Sequence, residues 1–181
     1  MNKKDTVVFD LDGTLLDTLE DLKNSVNYAM TQCGYPEHTL DEVRRYVGNG
    51  ILLLMQRAIP GGKDDPNFDK AFTLFKEHYG KHCNDTTKPY AGIMELLHTL
   101  KENNIKIAIV SNKADFAVKE LNAIYFKDLI LVAIGEKESE GIRKKPAPDT
   151  VIEALKQLGS TAENSVYIGD SDVDIETARN S

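Results

Sequence analysis

The feature that most constrains this chain is a set of short apolar runs, each stopping at a polar cluster. Thr6-Val7-Val8-Phe9-Asp10 is the first. It is apolar without alternation, as a strand covered on both faces is, and it ends in an acid. Lys106-Ile107-Ala108-Ile109-Val110 and Ser165-Val166-Tyr167-Ile168-Gly169 repeat the pattern. Leu129-Ile130-Leu131-Val132-Ala133 is expected to supply a fourth strand. Helical patterns at 92–102, 114–121 and 148–158 separate them. Strand alternating with helix predicts an α/β domain built on a parallel sheet.

Residues 17–88 read differently, with helical patterns and no convincing strand. Leu19, Leu22, Val26, Met30 and Cys33 recur at three- and four-residue steps, the mark of an amphipathic helix. Thr39 with Glu42 forms a capping-box pattern, and 51–59 and 68–79 supply two further helices. The expected organisation is an α/β core of residues 1–16 and 89–181, with 17–88 inserted as an α-helical cap domain.

Composition narrows the function. Of 181 residues, 41% are hydrophobic and 28% charged, which is enough apolar material for a packed core. The net charge of -7 leaves no broad positive face for a phosphate backbone, so nucleic acid is excluded as a partner. No apolar run approaches the ~20 residues of a spanning helix, and no signal-peptide pattern opens the chain. A cytoplasmic protein without a membrane partner is expected. Cys33 and Cys83 lack metal-type spacing, and Cys33, on the helical stripe, is expected to be a buried thiol.

In open parallel sheets, ligands gather at the carboxyl ends of the strands. Past the apolar runs stand Asp10 and Asp12, then Ser111-Asn112-Lys113, then Gly169-Asp170-Ser171-Asp172-Val173-Asp174, with Lys145 ahead of Pro146 and Pro148. Asp10 and Asp12 share one face if strand geometry persists, while Leu11 points away. So many carboxylates call for a compensating divalent cation. The candidate ligands are all oxygens, which favours Mg2+ over zinc. Lys145 and the Ser111 hydroxyl are then placed to hold phosphate oxygens. An aspartate attacking phosphorus forms an acyl phosphate, and a second acid can protonate the leaving oxygen and later activate water. Singly, each cluster has a plainer reading: a turn, a helix cap or a solvated lysine. Together and in this order, they point to a site.

These residues in this order resemble the haloacid dehalogenase superfamily of phosphotransferases. Asp10-Leu11-Asp12-Gly13-Thr14-Leu15 matches its first motif, Ser111 the second, Lys145 in Lys-Pro-Ala-Pro the third and Gly169–Asp174 the fourth. The resemblance implies a Rossmann-like core with a helical cap, Asp10 as nucleophile and Asp12 as acid/base. It further implies magnesium held by the Asp10 side chain, the Asp12 main-chain carbonyl and Asp170, with Asp174 supporting the site. Ser111, Asn112 and Lys145 would meet the phosphate. Asp12 sets aside the dehalogenase and phosphonate-hydrolase branches, which lack an acid there. Mutases of similar architecture often carry valine where Thr14 stands.

Tyr46-Val47-Gly48-Asn49-Gly50 with Arg57 is similar to the cap of phosphoglycolate phosphatases. Gly48, Asn49, Gly50 and Arg57 are therefore candidate substrate contacts, with Arg57 pairing a carboxylate. The expected activity is hydrolysis of a small phosphorylated metabolite, with 2-phosphoglycolate first. The alternatives are a sugar phosphomutase of the β-phosphoglucomutase type and a non-catalytic phosphate-binding module. A monomer or homodimer is expected. Family members normally continue past the fourth motif with a helix and a further strand, whereas this sequence stops at Ser181. Either the chain is truncated or the edge of the sheet is missing, and a strand lost there would expose a neighbouring edge to pairing with another chain.

Overall fold

The computed structural model describes residues 4–181. In chain order the first half holds β1 (Thr6–Phe9), β2 (Leu16–Asp17), α1 (Leu19–Gln32), α2 (Leu40–Tyr46), α3 (Ile51–Ala58) and α4 (Phe68–His82). The second half holds β3 (Lys88–Pro89), α5 (Ile93–Glu102), β4 (Lys106–Ala114), α6 (Asp115–Tyr125) and β5 (Val132–Glu136). It closes with α7 (Asp149–Leu158), β6 (Ser165–Ile168) and α8 (Asp172–Asn180). The chain divides into two units, Met1–Leu16 with Pro89–Ser181, and Asp17–Lys88.

The first unit is an α/β layer structure with a parallel sheet ordered β5-β4-β1-β6. β1 runs between two parallel partners, with Thr6 opposite both Lys106 and Ser165. All four of its residues are buried, which is why the run carries no alternation. Its side chains still alternate between faces. Val7 and Phe9 join Leu97, Ile107, Ile109, Val118 and Leu121 on one side. Val8 joins Ala108, Val110, Ile134, Val151 and Leu155 on the other. β6 is the outer strand on its side among the described residues, and Val166 and Ile168 on it are exposed. β2 pairs with β3 as a separate two-stranded sheet.

Two strand expectations change. The run 129–133 is not one strand: Leu129 and Ile130 donate their N–H groups to the Phe126 carbonyl at 2.8 and 2.9 Å, closing a turn after α6. Ile130 is buried there as an anchor, Leu131 is 85% exposed, and pairing begins only at Val132. β4, in turn, continues past Val110 through Ser111-Asn112-Lys113 to Ala114, with a register shift against β5 between Val110 and Ala114. Polar side chains ended the apolar signal, but the backbone went on pairing.

The second unit is helical. Leu22, Val26, Ala29 and Met30 of α1 pack with Val43, Leu54, Met55, Phe68, Ala71 and Phe75. Thr39 and Glu42 form the reciprocal capping box that starts α2. Cys33 is the C-cap of α1 and only partly buried, so the stripe ends one turn earlier than its spacing implies; Cys83 is the buried thiol. No helix among the described residues is long and apolar enough to cross a membrane.

One buried acid fastens this unit. Asp21, 1% exposed, accepts hydrogen bonds from the main-chain N–H and the hydroxyl of both Thr86 and Thr87, at 2.7–3.1 Å. Burial alone would raise its pKa, but these donors outweigh burial and hold it below the usual 3.8. A depressed carboxylate stabilises the fold above its unfolded pKa and loses that contribution as pH falls through the folded value. Asp21→Ala should cost about 3 kcal/mol at pH 7, because four donors lose their acceptor. Urea titrations of both proteins check this, and the gap between them should narrow in acid.

Candidate active site

The site is built in the first unit from four chain segments. Asp10 follows β1 directly, its N–H donating to the Ile168 carbonyl at 2.9 Å. Leu11 is fully buried in the core, so the chain turns Asp10 and Asp12 away from that core. Ser111, Asn112 and Lys113 come from the irregular end of β4. Lys145 lies between β5 and α7, and Asp170 and Asp174 sit at and just inside the start of α8.

Lys145 is the hub. Its side chain is 2% exposed, and its Nζ lies 2.9 Å from Asp10 and 2.7 Å from Asp174. It also donates to the Tyr167 hydroxyl at 3.2 Å, and that hydroxyl donates to Asp174 at 2.9 Å. Asp174 accepts further bonds from the Ser171 N–H and hydroxyl as part of the α8 capping box. Its oxygens are thus spoken for by the protein. Burial would raise its pKa, yet Lys145 and the bonds from Ser171 and Tyr167 hold it below the usual range. Burial, followed by the charges of Asp10 and Asp174, pushes the Tyr167 phenol well up, so it stays a donor.

Asp10 is different. Among the described residues, it accepts the Leu11 N–H at 2.7 Å in addition to Lys145. Burial pushes it up to about 6, against the pull of Lys145 and with added repulsion from Asp174 and Asp12. Asp170 is also raised, by burial first and then by Asp174. The Thr14 hydroxyl donates to it at 3.2 Å. Ligand oxygens of Asp10, Asp170 and Asp174 lie within 4.8 Å of one another. Four carboxylates here face two ammonium groups, those of Lys113 and Lys145, an excess of two negative charges when all are ionised. Hard oxygen donors with that excess suit a divalent cation such as magnesium.

Two glycines allow the packing. Gly13 has φ +84°, and a Cβ there would fall 2.4 Å from Asp170 Oδ2. A Cβ at Gly169 would fall 2.3 Å from Asp174 Cγ. Either side chain would displace a carboxylate of the cluster.

The structure therefore brings Asp10, Asp170 and Asp174 together around Lys145. Asp12 instead faces Lys113, whose Nζ donates to both its oxygens at 3.1 and 3.3 Å. Ser111 Oγ accepts the Lys113 N–H at 3.3 Å. Asn112 turns its side chain onto the Lys145 main chain. Its Oδ1 accepts the Lys145 N–H at 2.9 Å and its Nδ2 donates to the Lys145 carbonyl at 3.1 Å. Gly48, Asn49, Gly50 and Arg57 form a cluster of their own in the second unit. Arg57 donates to the Tyr46 carbonyl at 2.8 Å and to Asn49 Oδ1 at 2.9 Å. Gly48 and Gly50 take φ +111° and +87°. Arg57 thus braces the loop that precedes α3.

Sequence reasoning passed over Tyr167 and gave Lys113 no role. A signal for Tyr167 exists: in β6 it alternates with the exposed Val166 and Ile168, so the polar-tipped ring takes the inward position.

Comparison with known proteins places these residues in context. The haloacid dehalogenase-like hydrolase family matches residues 7–181. A phosphoglycolate phosphatase of Aquifex aeolicus is 33% identical, over 96% of this chain and 79% of its own length. One from Pseudomonas putida is 31% identical, again over 96% of this chain but 65% of its own, just under two thirds. A solved structure from Lactobacillus delbrueckii subsp. bulgaricus, assigned as a phosphoglycolate phosphatase, superposes with a TM-score of 0.89. That chain is 36% identical, with 98% of this chain and 83% of the other covered.

Proposed function

The chain belongs to the haloacid dehalogenase-like hydrolases, and from that footing we propose that it is a phosphatase of small phosphomonoesters, with 2-phosphoglycolate its first substrate. The observation that carries the reading is the pairing of buried Asp10 with Lys145 beside Asp170 and Asp174. It offers a carboxylate nucleophile with few protein partners, next to a fixed cation. The named relatives support the choice of substrate.

In this reading Asp10 attacks phosphorus as the ester P–O bond breaks, and Asp12 gives its proton to the departing oxygen. Water then adds to the aspartyl phosphate, Asp12 takes up the proton, and phosphate leaves as the Asp10–phosphorus bond breaks. Lys145 and Ser111 hold phosphate oxygens, and Asn112 fixes the Lys145 main chain. Asp174 and Tyr167 hold the Lys145 ammonium in place. Asp10, Asp170 and the Asp12 main-chain carbonyl would be the ligands of a magnesium ion, which supplies the charge that lets a phosphate dianion enter. Thr14, whose hydroxyl donates to Asp170, stands where mutases of similar architecture often carry valine, which favours the hydrolase reading.

A phosphomonoester panel with and without magnesium tests the proposal. Magnesium-dependent phosphate release, led by 2-phosphoglycolate, is expected. Isomerised sugar from β-glucose 1-phosphate without free phosphate would replace the hydrolase reading with the mutase. Silence across the panel would leave a binding module.

A further inference from the structure

Lys113 is a buried charge, with a side chain 3% exposed, and it faces an acid 101 residues away in sequence. An ammonium so far from water is tolerable only beside an anion, and both Asp12 oxygens accept hydrogen bonds from it. Its backbone is held too, by the N–H bond to Ser111 Oγ where β4 shifts register against β5. Irregularities of this kind re-aim side chains relative to a regular strand. The two lysines of the site divide the acids between them, Lys145 taking Asp10 and Asp174 and Lys113 taking Asp12. Two carboxylates only two residues apart are thereby kept in separate orientations.

We propose that Lys113 is a positioning residue that fixes the Asp12 carboxylate, through this part-buried ion pair, where it exchanges protons with the leaving oxygen and then with water. The inference rests on the hydrolase reading above. Lys113 changes no bond itself; it restricts rotation of the group that does.

The test compares Lys113→Met and Lys113→Arg with wild type on three esters: 2-phosphoglycolate, the uncharged-alcohol ester glycerol 2-phosphate, and p-nitrophenyl phosphate. Lys113→Met should lower kcat about 10²-fold on both alkyl esters, with KM within about threefold. p-Nitrophenolate leaves without a proton, so its pre-steady-state burst should keep nearly its wild-type rate while turnover slows. Lys113→Arg should recover most of kcat. A KM increase confined to 2-phosphoglycolate would make Lys113 a substrate-carboxylate contact and overturn the proposal. An equally slowed burst would also overturn it. Asp12→Asn/Lys113→Met removes both charges and covers the case in which Lys113→Met alone fails to fold. In the Asp12→Asn background the lysine change should cost less than about threefold, since coupled residues are not additive; a further 10²-fold loss would show that Lys113 acts independently. Wild-type turnover on the same esters judges the hydrolase reading separately. Thermal midpoints of the four proteins of this cycle read the ion pair without turnover, and additive midpoints would count against it.

Discussion

Asp10→Asn should abolish turnover, by at least ~10⁴-fold, while the protein stays folded. The amide is nearly isosteric but cannot attack phosphorus or form the acyl phosphate. Retained activity would sink the nucleophile assignment. Stability should move the other way. Asp10 is held up to about 6 by burial, against an ordinary 3.8, so ionising it opposes folding. That cost is absent below the unfolded pKa, grows between about 4 and 6, and is complete above the folded value. Asp10→Asn removes it, and Lys145 keeps Asp174 as its counter-charge. In the presence of a chelator, the variant should therefore melt at or above the wild-type temperature at pH 7. The advantage should fade as pH falls toward 4. A variant that melts well below wild type at pH 7 would mean that Lys145 needs both carboxylates.

The parts of this architecture legible in sequence are those written in local patterns. β1 and β6 were readable because a strand buried in a sheet interior, or ending at an acid loop, shows as a short apolar run. The four helices of the second unit were readable from their stripes and from the Thr39–Glu42 cap. Failures came where local pattern and tertiary role part company. Leu129 and Ile130 have the composition of a strand, yet Ile130 anchors a turn closed on Phe126. Ser111, Asn112 and Lys113 look like a loop because they are polar, yet they belong to β4. At the site, residue types were legible and partners were not. Asn112 against the Lys145 main chain spans 33 positions, and Lys113 against Asp12 spans 101. Only the fold decides which lysine meets which aspartate, since nothing in the local sequence distinguishes them.

Lys145→Met should be the most disruptive single change in the first unit. Its Nζ pairs with two buried carboxylates and donates to a part-buried phenol. Removing one member of a buried ion-pair network leaves the others without compensation, a loss of about 3–5 kcal/mol. Methionine keeps most of the volume, so the loss would be electrostatic rather than a cavity effect. Activity should fall at least ~10³-fold, because the fixed cation beside the attacking oxygen is gone. The pH dependence identifies the cause. Without Lys145, Asp10 and Asp174 are both driven upward, so the destabilisation should be largest above pH 7 and shrink as they protonate in acid. A second change separates the two effects. Lys145→Met/Asp174→Asn leaves one buried carboxylate in place of two, and should regain part of the stability in urea titrations while regaining no turnover. If Lys145→Met unfolds at the wild-type urea concentration, the ion pairs drawn to Asp10 and Asp174 contribute nothing to the fold, and Lys145 serves the reaction alone.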